Sequence, residues 1–418
     1  MKVLWLTNTP CSAVEKLGMD LNFGGWLRSL EEELNKVHDL DLAICFYYSK
    51  RIEPFNYKGT RYYPIYREYK SSKFGRFINR LCPKNNDEKE IIELLKVVKE
   101  FAPDIIHVHG TEDNFGLIQY HTNIPTVISI QGILTPYAEK YYAGVPYSIV
   151  SRYEGLAAKL LASSAAKAYA QFNKKAERER RILINAKYII GRTDWDKHVT
   201  RVLAPKSQYF IGNEIIRKPF YENVWNKTQL SETIQIITSS RDSTYKGFEA
   251  IVNAAQILKE NTTLKFVWKV IGLEETSDIV KIVKKWKKVN LKELHIEFLG
   301  VINEKEIIKN LLQSDIYIQT SHIENSPNSL CEAMLLGMPI ISTSVGGTST
   351  LLKNNEEGIL LQDGDANSLV GAILEMVKDQ DRAMKLKGRA REKSMNRHDK
   401  SLITSSLLSI YRSIHGNV

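Results

Sequence analysis

The 418 residues include only four cysteines, Cys11, Cys45, Cys82 and Cys331, which form no CxxC pair and have no histidine cluster beside them. Neither a disulfide framework nor a zinc site is suggested, and a reducing, cytoplasmic setting fits. No apolar run reaches the ~18 to 20 residues needed to cross a bilayer, and the opening MKVLWLTNTP turns polar too soon for a signal peptide, so it reads as a first strand. Low-complexity tracts are also missing. With 43% apolar and 25% charged residues the chain has a core to bury and is neither disordered nor fibrous. RRM, KH and helix-turn-helix signatures are absent too, which leaves no motif for a nucleic acid partner.

What is present is an alternation. Short apolar, β-branched runs (3–8, 40–48, 104–110, 126–132 and 188–193) are separated by helical stretches. Such runs are the mark of buried parallel strands, so the first half reads as a doubly wound, Rossmann-like α/β sheet. After a polar, hinge-like stretch the pattern restarts at 234–240, 266–272, 295–300, 316–321, 339–344 and 358–362. The chain is too long for one core, so two α/β domains are expected, 1–210 and 211–394. An amphipathic final helix at about 395–418, with Leu402, Leu407, Leu408 and Tyr411 at helical spacing, is expected to pack back on the first domain. Ligands of such sheets bind beyond the carboxyl ends of the strands, so two facing domains imply one deep cleft.

The net charge of +10 is unevenly spread: residues 50–84 hold ten Lys or Arg against Glu53 and Glu68, interleaved with eight aromatics. Cations gain from a negative surface potential while amphipathic rings settle at headgroup depth, so this stretch suits an anionic membrane surface or a phosphate-bearing partner. A solvated insertion is the alternative reading.

The richest segment is SHIENSPNSLCEAMLLGMPIISTSVGG, 321–347. Ser326 suits an N-cap and Pro327 a first helical position, while Gly337 and Pro339 stop the helix near Leu336. The terminus formed by Ser326, Pro327, Asn328, Ser329 and Leu330 is then an anion site of the kind a diphosphate requires, because its N–H groups are free and the helix dipole is positive there. Glu332 is placed roughly two turns further in, where a carboxylate accepts hydrogen bonds from a ribose diol.

Glu324 and Glu332, separated by seven residues and followed by EAMLLGMPIISTSVGG, resemble the Glu-x7-Glu signature of the family 4 retaining glycosyltransferases of GT-B fold. The resemblance implies that Glu324 contacts the donor sugar hydroxyls and Glu332 holds the ribose. SSRDSTYKGF is similar to the family's Arg and Lys pair, so Arg241 and Lys246 are implied to neutralise the departing diphosphate, doing electrostatically what a metal does elsewhere. No metal and no other cofactor is expected. Gly24 and Gly25, in the loop after the first strand, resemble the family's glycine pair, which lets backbone N–H groups approach a phosphate. His109, at the end of IIHVHG, is implied to border the acceptor; His107 is expected to point the other way and to be buried structure. Where most family members place a histidine at the end of the next strand, this chain has Gln131, whose amide can hydrogen-bond a sugar but carries no proton.

Gly346 and Gly347 read as a cleft border or a plain turn. Asp194 with Asp196, and Asp363 with Asp365, superficially match a metal-binding Asp-x-Asp, but each pair precedes a helix start and is better read as capping. The resemblance is loose between Lys50 and Asn85 and between Tyr137 and Arg181, the stretches where acceptors are usually chosen. It implies a metal-independent enzyme that moves a sugar from a nucleotide diphosphate sugar to a glycan or lipid-linked glycan, in surface polysaccharide assembly. The alternatives are a non-catalytic nucleotide or glycan binding module, which would bind donor without turnover, and a nucleotide-sugar epimerase, which needs no acceptor.

Overall fold

The computed structural model describes residues 1–19, 25–68, 87–155 and 164–416. The chain forms two compact units, Met1–Ala138 with Ala157–Arg217 and His398–Val418, and Glu139–Leu156 with Lys218–Arg397.

The first unit contains β1 (Lys2–Thr7), β2 (Asp41–Tyr48), β3 (Phe55–Tyr57), β4 (Thr60–Tyr66), β5 (Ile105–His109), β6 (Thr126–Ser129), β7 (Tyr188–Gly191) and β8 (Gln208–Ile211). They lie in the order β3-β4-β2-β1-β5-β6-β7-β8, with every pairing parallel except the β3–β4 hairpin. Strands covered on both faces must be apolar on both, and β1 is buried from Val3 to Thr7. One face carries the helix Asp87–Phe101 through Ile91, Leu94, Val98 and Phe101. The other carries Gly25–Leu34 and the last helix, Lys400–His415, through Ile403, Leu407, Ile410, Tyr411 and Ile414. The Tyr411 hydroxyl accepts from Trp5 Nε1 at 3.0 Å and lies 2.5 Å from His107 Nδ1, fixing that helix against the first and fifth strands.

The hairpin corrects the reading of residues 50–84 as one basic aromatic patch. Tyr62 and Tyr63 are buried in β4, a sheet strand pairing in parallel with β2. Lys58 and Gly59, both at positive φ, make the two-residue turn into it. Lys58 pairs with Glu15, Arg61 with Glu100, and Arg67 with Glu90 and Asp113, so much of the described charge is already neutralised. Residues 69–84 of that stretch lie outside the described residues.

The second unit holds β9 (Ile234–Ser239), β10 (Phe266–Ile271), β11 (Ile296–Gly300), β12 (Ile316–Gln319), β13 (Ile340–Thr343) and β14 (Ile359–Leu361), all parallel, in the order β11-β10-β9-β12-β13-β14. Counted within the unit this is 3-2-1-4-5-6, the Rossmann order. Both sheets reverse direction of growth at one point, β1/β5 in the first and β9/β12 in the second. Loops leaving the two strands at such a point diverge and open a crevice.

The division falls between Arg217 and Lys218 rather than at 210/211, and the piece Glu139–Leu156 clusters with the second unit although it comes after the sixth strand of the first. Its Tyr141 carbonyl accepts from the Thr244 hydroxyl, and its helix Tyr147–Tyr153 packs on Asp278–Lys287. No helix among the described residues is long and apolar enough to cross a membrane.

Candidate functional site

The reversal point of the second sheet gathers most of the residues singled out in the sequence. β9 ends at Ser239 and its loop runs through Arg241 to a short 3-10 turn, Thr244–Lys246. β12 ends at Gln319 and its loop carries Ser321, His322 and Glu324. The two loops meet: Lys246 Nζ donates to Glu324 Oε1 at 2.5 Å, and the Ser321 hydroxyl donates to the same oxygen at 2.8 Å. Both ends of the ion pair are largely buried, with side-chain exposure of 19% for Lys246 and 8% for Glu324. A pair shielded to that extent has a fixed geometry, unlike a surface ion pair. Arg241 is exposed, and among the described residues its guanidinium has no ion-pair partner.

Glycine makes this meeting possible in two places. Gly247 sits at φ +73°, and a Cβ there would fall 1.9 Å from the Thr320 carbonyl oxygen. Gly346, at φ +50°, lies so close to the Glu324 backbone that a Cβ would come within 1.9 Å of its carbonyl oxygen, and Gly347 N–H donates to that oxygen at 3.0 Å. The Gly346–Gly347 pair is thus the clamp on Glu324, a role its spacing alone left open.

The helix after this loop runs Asn328–Leu336 and is buried from Leu330 to Leu336. Pro327, not Ser326, occupies the cap position, and its own side chain makes no cap hydrogen bond. Glu332 is the fifth helical residue, just over one turn in rather than two, and is buried. Gly337 closes the helix at φ +75°.

Beside this site lies a cluster that no sequence motif reveals. His322 is buried, with Nε2 2.6 Å from Glu249 Oε1 and Nδ1 3.0 Å from Asp363 Oδ2. Burial disfavours its charge, but the hydrogen bonds and charges of the two carboxylates outweigh it and raise its pKa. Asp363 is therefore no helix cap. Asp365 is one, accepting from Ser368 N–H at 2.9 Å, and Asp196 completes a capping box with Thr193. Gly144 packs so tightly here that a Cβ would sit 2.2 Å from both Glu249 Oε1 and His322 Nε2.

The other residues singled out belong to the first unit. Gly24 lies outside the described residues; Gly25 opens the helix Gly25–Leu34, with the Arg217 side chain where its Cβ would be. His109 and His107 do not point opposite ways. Residues two apart in a strand share a face, and the two rings stack at 3.8 Å. Both are buried; His107 contacts Ser129 Oγ at 2.6 Å, whereas neither ring nitrogen of His109 has a partner among the described residues. Burial holds both imidazoles well below the ordinary histidine pKa, so they are neutral. Gln131 stands two residues beyond β6, half-buried, near Glu112, a residue not singled out in the sequence.

Residues 222–393, most of the second unit, match the family described as "Glycosyl transferases group 1". Among curated relatives, the N-acetyl-alpha-D-glucosaminyl L-malate synthase of Bacillus anthracis is 30% identical over 125 residues, 29% of this chain and about a third (32%) of that enzyme. The putative teichuronic acid biosynthesis glycosyltransferase TuaC of Bacillus subtilis is 22% identical across 89% of this chain and 88% of its own length. Among solved structures, Anabaena HepE in complex with UDP and glucose superposes with a TM-score of 0.64 at 14% identity, covering 99% of this chain and 100% of HepE. The fold is accordingly GT-B, with two Rossmann-like domains.

Proposed function

We propose that the protein transfers a sugar, with retention, from a nucleotide diphosphate sugar to a hydroxyl of a glycan or lipid-linked glycan, without a metal. The observation that carries this reading is the buried Lys246–Glu324 pair, with Glu324 just ahead of the helix Asn328–Leu336, in a stretch that matches the group 1 glycosyltransferases. The diphosphate accepts from the first-turn N–H groups of Asn328 and Ser329 and draws Lys246 and Arg241 to itself. Glu324, held by Ser321 and the Gly346–Gly347 clamp, then turns its carboxylate to the sugar hydroxyls, and Glu332 receives the ribose. As the glycosidic bond stretches, the two cations stabilise charge on the leaving diphosphate, the part a bound metal plays elsewhere.

The names of the relatives support polysaccharide assembly as the setting, and the UDP and glucose in HepE support the donor class. A cytoplasmic location follows from this reading, at the inner face of the membrane for a lipid-linked acceptor. Thermal shift against UDP, GDP and ADP and their sugars tests it. A ligand at 100 times its Kd adds about 2.7 kcal/mol of apparent stability. One nucleotide is expected to stabilise the protein and Lys246→Ala to lose the effect; no stabilisation by any of them overturns the reading.

A further inference from the structure

His322 lies two residues ahead of Glu324 and joins three elements around the Lys246–Glu324 pair. Its N–H donates to the Tyr245 carbonyl at 2.8 Å, and the neighbouring Thr320 hydroxyl donates to the Lys246 carbonyl at 3.3 Å. Its ring bonds Glu249, three residues beyond Lys246 in the first turn of the helix Phe248–Asn261, and Asp363, two residues beyond β14. One residue thus ties the Glu324 loop to the turn that carries Lys246 and to the loop after β14.

Both ring nitrogens face carboxylate oxygens, at 2.6 and 3.0 Å. A neutral imidazole has one N–H and one lone pair, so it satisfies one carboxylate and turns its lone pair on the other; only an imidazolium donates to both. Glu249 depends on that proton. It is buried, and its other oxygen, Oε2, makes no hydrogen bond among the described residues. A buried carboxylate left without a charged partner is strongly unfavourable.

We propose that His322, as an imidazolium between Glu249 and Asp363, is a positioning residue for sugar transfer whose proton keeps Lys246 and Glu324 in place for the donor. The inference rests on the glycosyltransferase reading. Loss of the proton breaks one ring bond and leaves the surroundings of the ion pair one charge more negative, which loosens the loop and repels a diphosphate. Burial opposes the charge on the ring, but the hydrogen bonds and charges of Glu249 and Asp363 outweigh it and lift the pKa above the ordinary histidine value. Donor binding therefore weakens as pH rises through that raised value. The loops around the ring also carry Lys246 and Glu324, paired with each other, and Asp365, which caps the helix Ala366–Lys378. Gly144 and Gly364, which pack against the ring, bring no charge.

The full chain is titrated with UDP-glucose, UDP-N-acetylglucosamine, GDP-mannose and ADP-glucose from pH 6 to pH 9, by calorimetry in two buffers of different ionisation enthalpy. At least one donor is expected to bind, more tightly at pH 6, and to take up protons as it binds. If only the protonated ring holds it, affinity falls about tenfold per pH unit above the folded pKa. In the first unit, burial and the Glu179 charge lift the Glu112 carboxyl to about 7, so it titrates in the same window and His322 is read from the difference between wild type and variants. His322→Gln should weaken binding at pH 6 and reduce the proton uptake. Asp363→Asn, at a side chain 32% exposed, offers an amide N–H to the lone pair of a neutral ring. It should reduce the uptake and hold donor affinity at pH 9 better than the wild type, which a purely structural ring does not predict. Should His322→Gln fail to fold, Asp363→Asn decides alone. If a donor binds and Asp363→Asn keeps the pH profile and proton uptake of the wild type, the positioning role is wrong and the donor reading stands. If none of the four binds, the donor reading falls and the inference with it.

Discussion

The two reversal points are built from the same topology by opposite chemistry. In the second unit the facing loops are joined by an ion pair, Lys246 to Glu324, and fixed by glycines whose backbones touch the charged loop. In the first unit the facing loops are joined by the Asn8 amide and a carboxyl lifted to about 7, beside a neutral histidine pair. Full charges suit a highly charged ligand such as a diphosphate, whereas amides and a half-ionised carboxyl suit uncharged hydroxyls. One topology thus carries two settings of different charge by changing the loops at the ends of two strands.

The largest expected effect would break the first half of this comparison. Glu324→Ala should lower transfer by about 10³-fold, and Lys246→Ala by about 10²-fold with weaker nucleotide binding, measured as nucleotide release under single-turnover conditions. If the two residues act as one device, the double variant will be little worse than Glu324→Ala. Gly346→Ala tests the clamp. It combines a positive φ with a clash against the Glu324 carbonyl and should destabilise by roughly 2 to 3 kcal/mol in urea unfolding.

Glu112→Gln sharpens the other half. The native carboxyl holds its proton more tightly than the ordinary glutamate value of 4.5, so the wild type loses stability as pH rises from there through 7. The variant, which cannot ionise, should match the wild type near pH 4 and exceed it by roughly 2 kcal/mol at pH 8. His322 follows the same direction in a higher pH window. Its raised pKa gives stability that is complete below the ordinary histidine value and is lost as pH rises through the folded one. His322→Gln should therefore cost most at low pH and progressively less in alkaline buffer, read by urea unfolding across that range.

The second unit was more legible than the first because its chemistry is contiguous. Glu324, the helix and Gly337 lie within fourteen residues, and glycine and proline punctuate them. The alternation of strands also showed both sheets. β4 escaped because TRYYPIY carries Arg61 and Pro64. Pro64 is tolerated because β3 covers only Thr60–Tyr62, leaving no partner on that side to miss its N–H. Glu112 belongs to no motif, since its setting is made by Asn8, Gly110 and Gln131, which only the sheet brings together. The His322 cluster is hidden for the same reason: Glu249 and Asp363 are 73 and 41 residues away in sequence.

The contact of Trp5 with Tyr411 spans 406 positions, nearly the entire chain. During synthesis the ribosome releases every residue of the second unit before Ile403, Leu407 and Ile410 emerge to cover one face of the first sheet. The half that is translated first is therefore completed last. Until then it offers a bare apolar surface that chaperones can hold, and truncation near the end exposes that surface permanently.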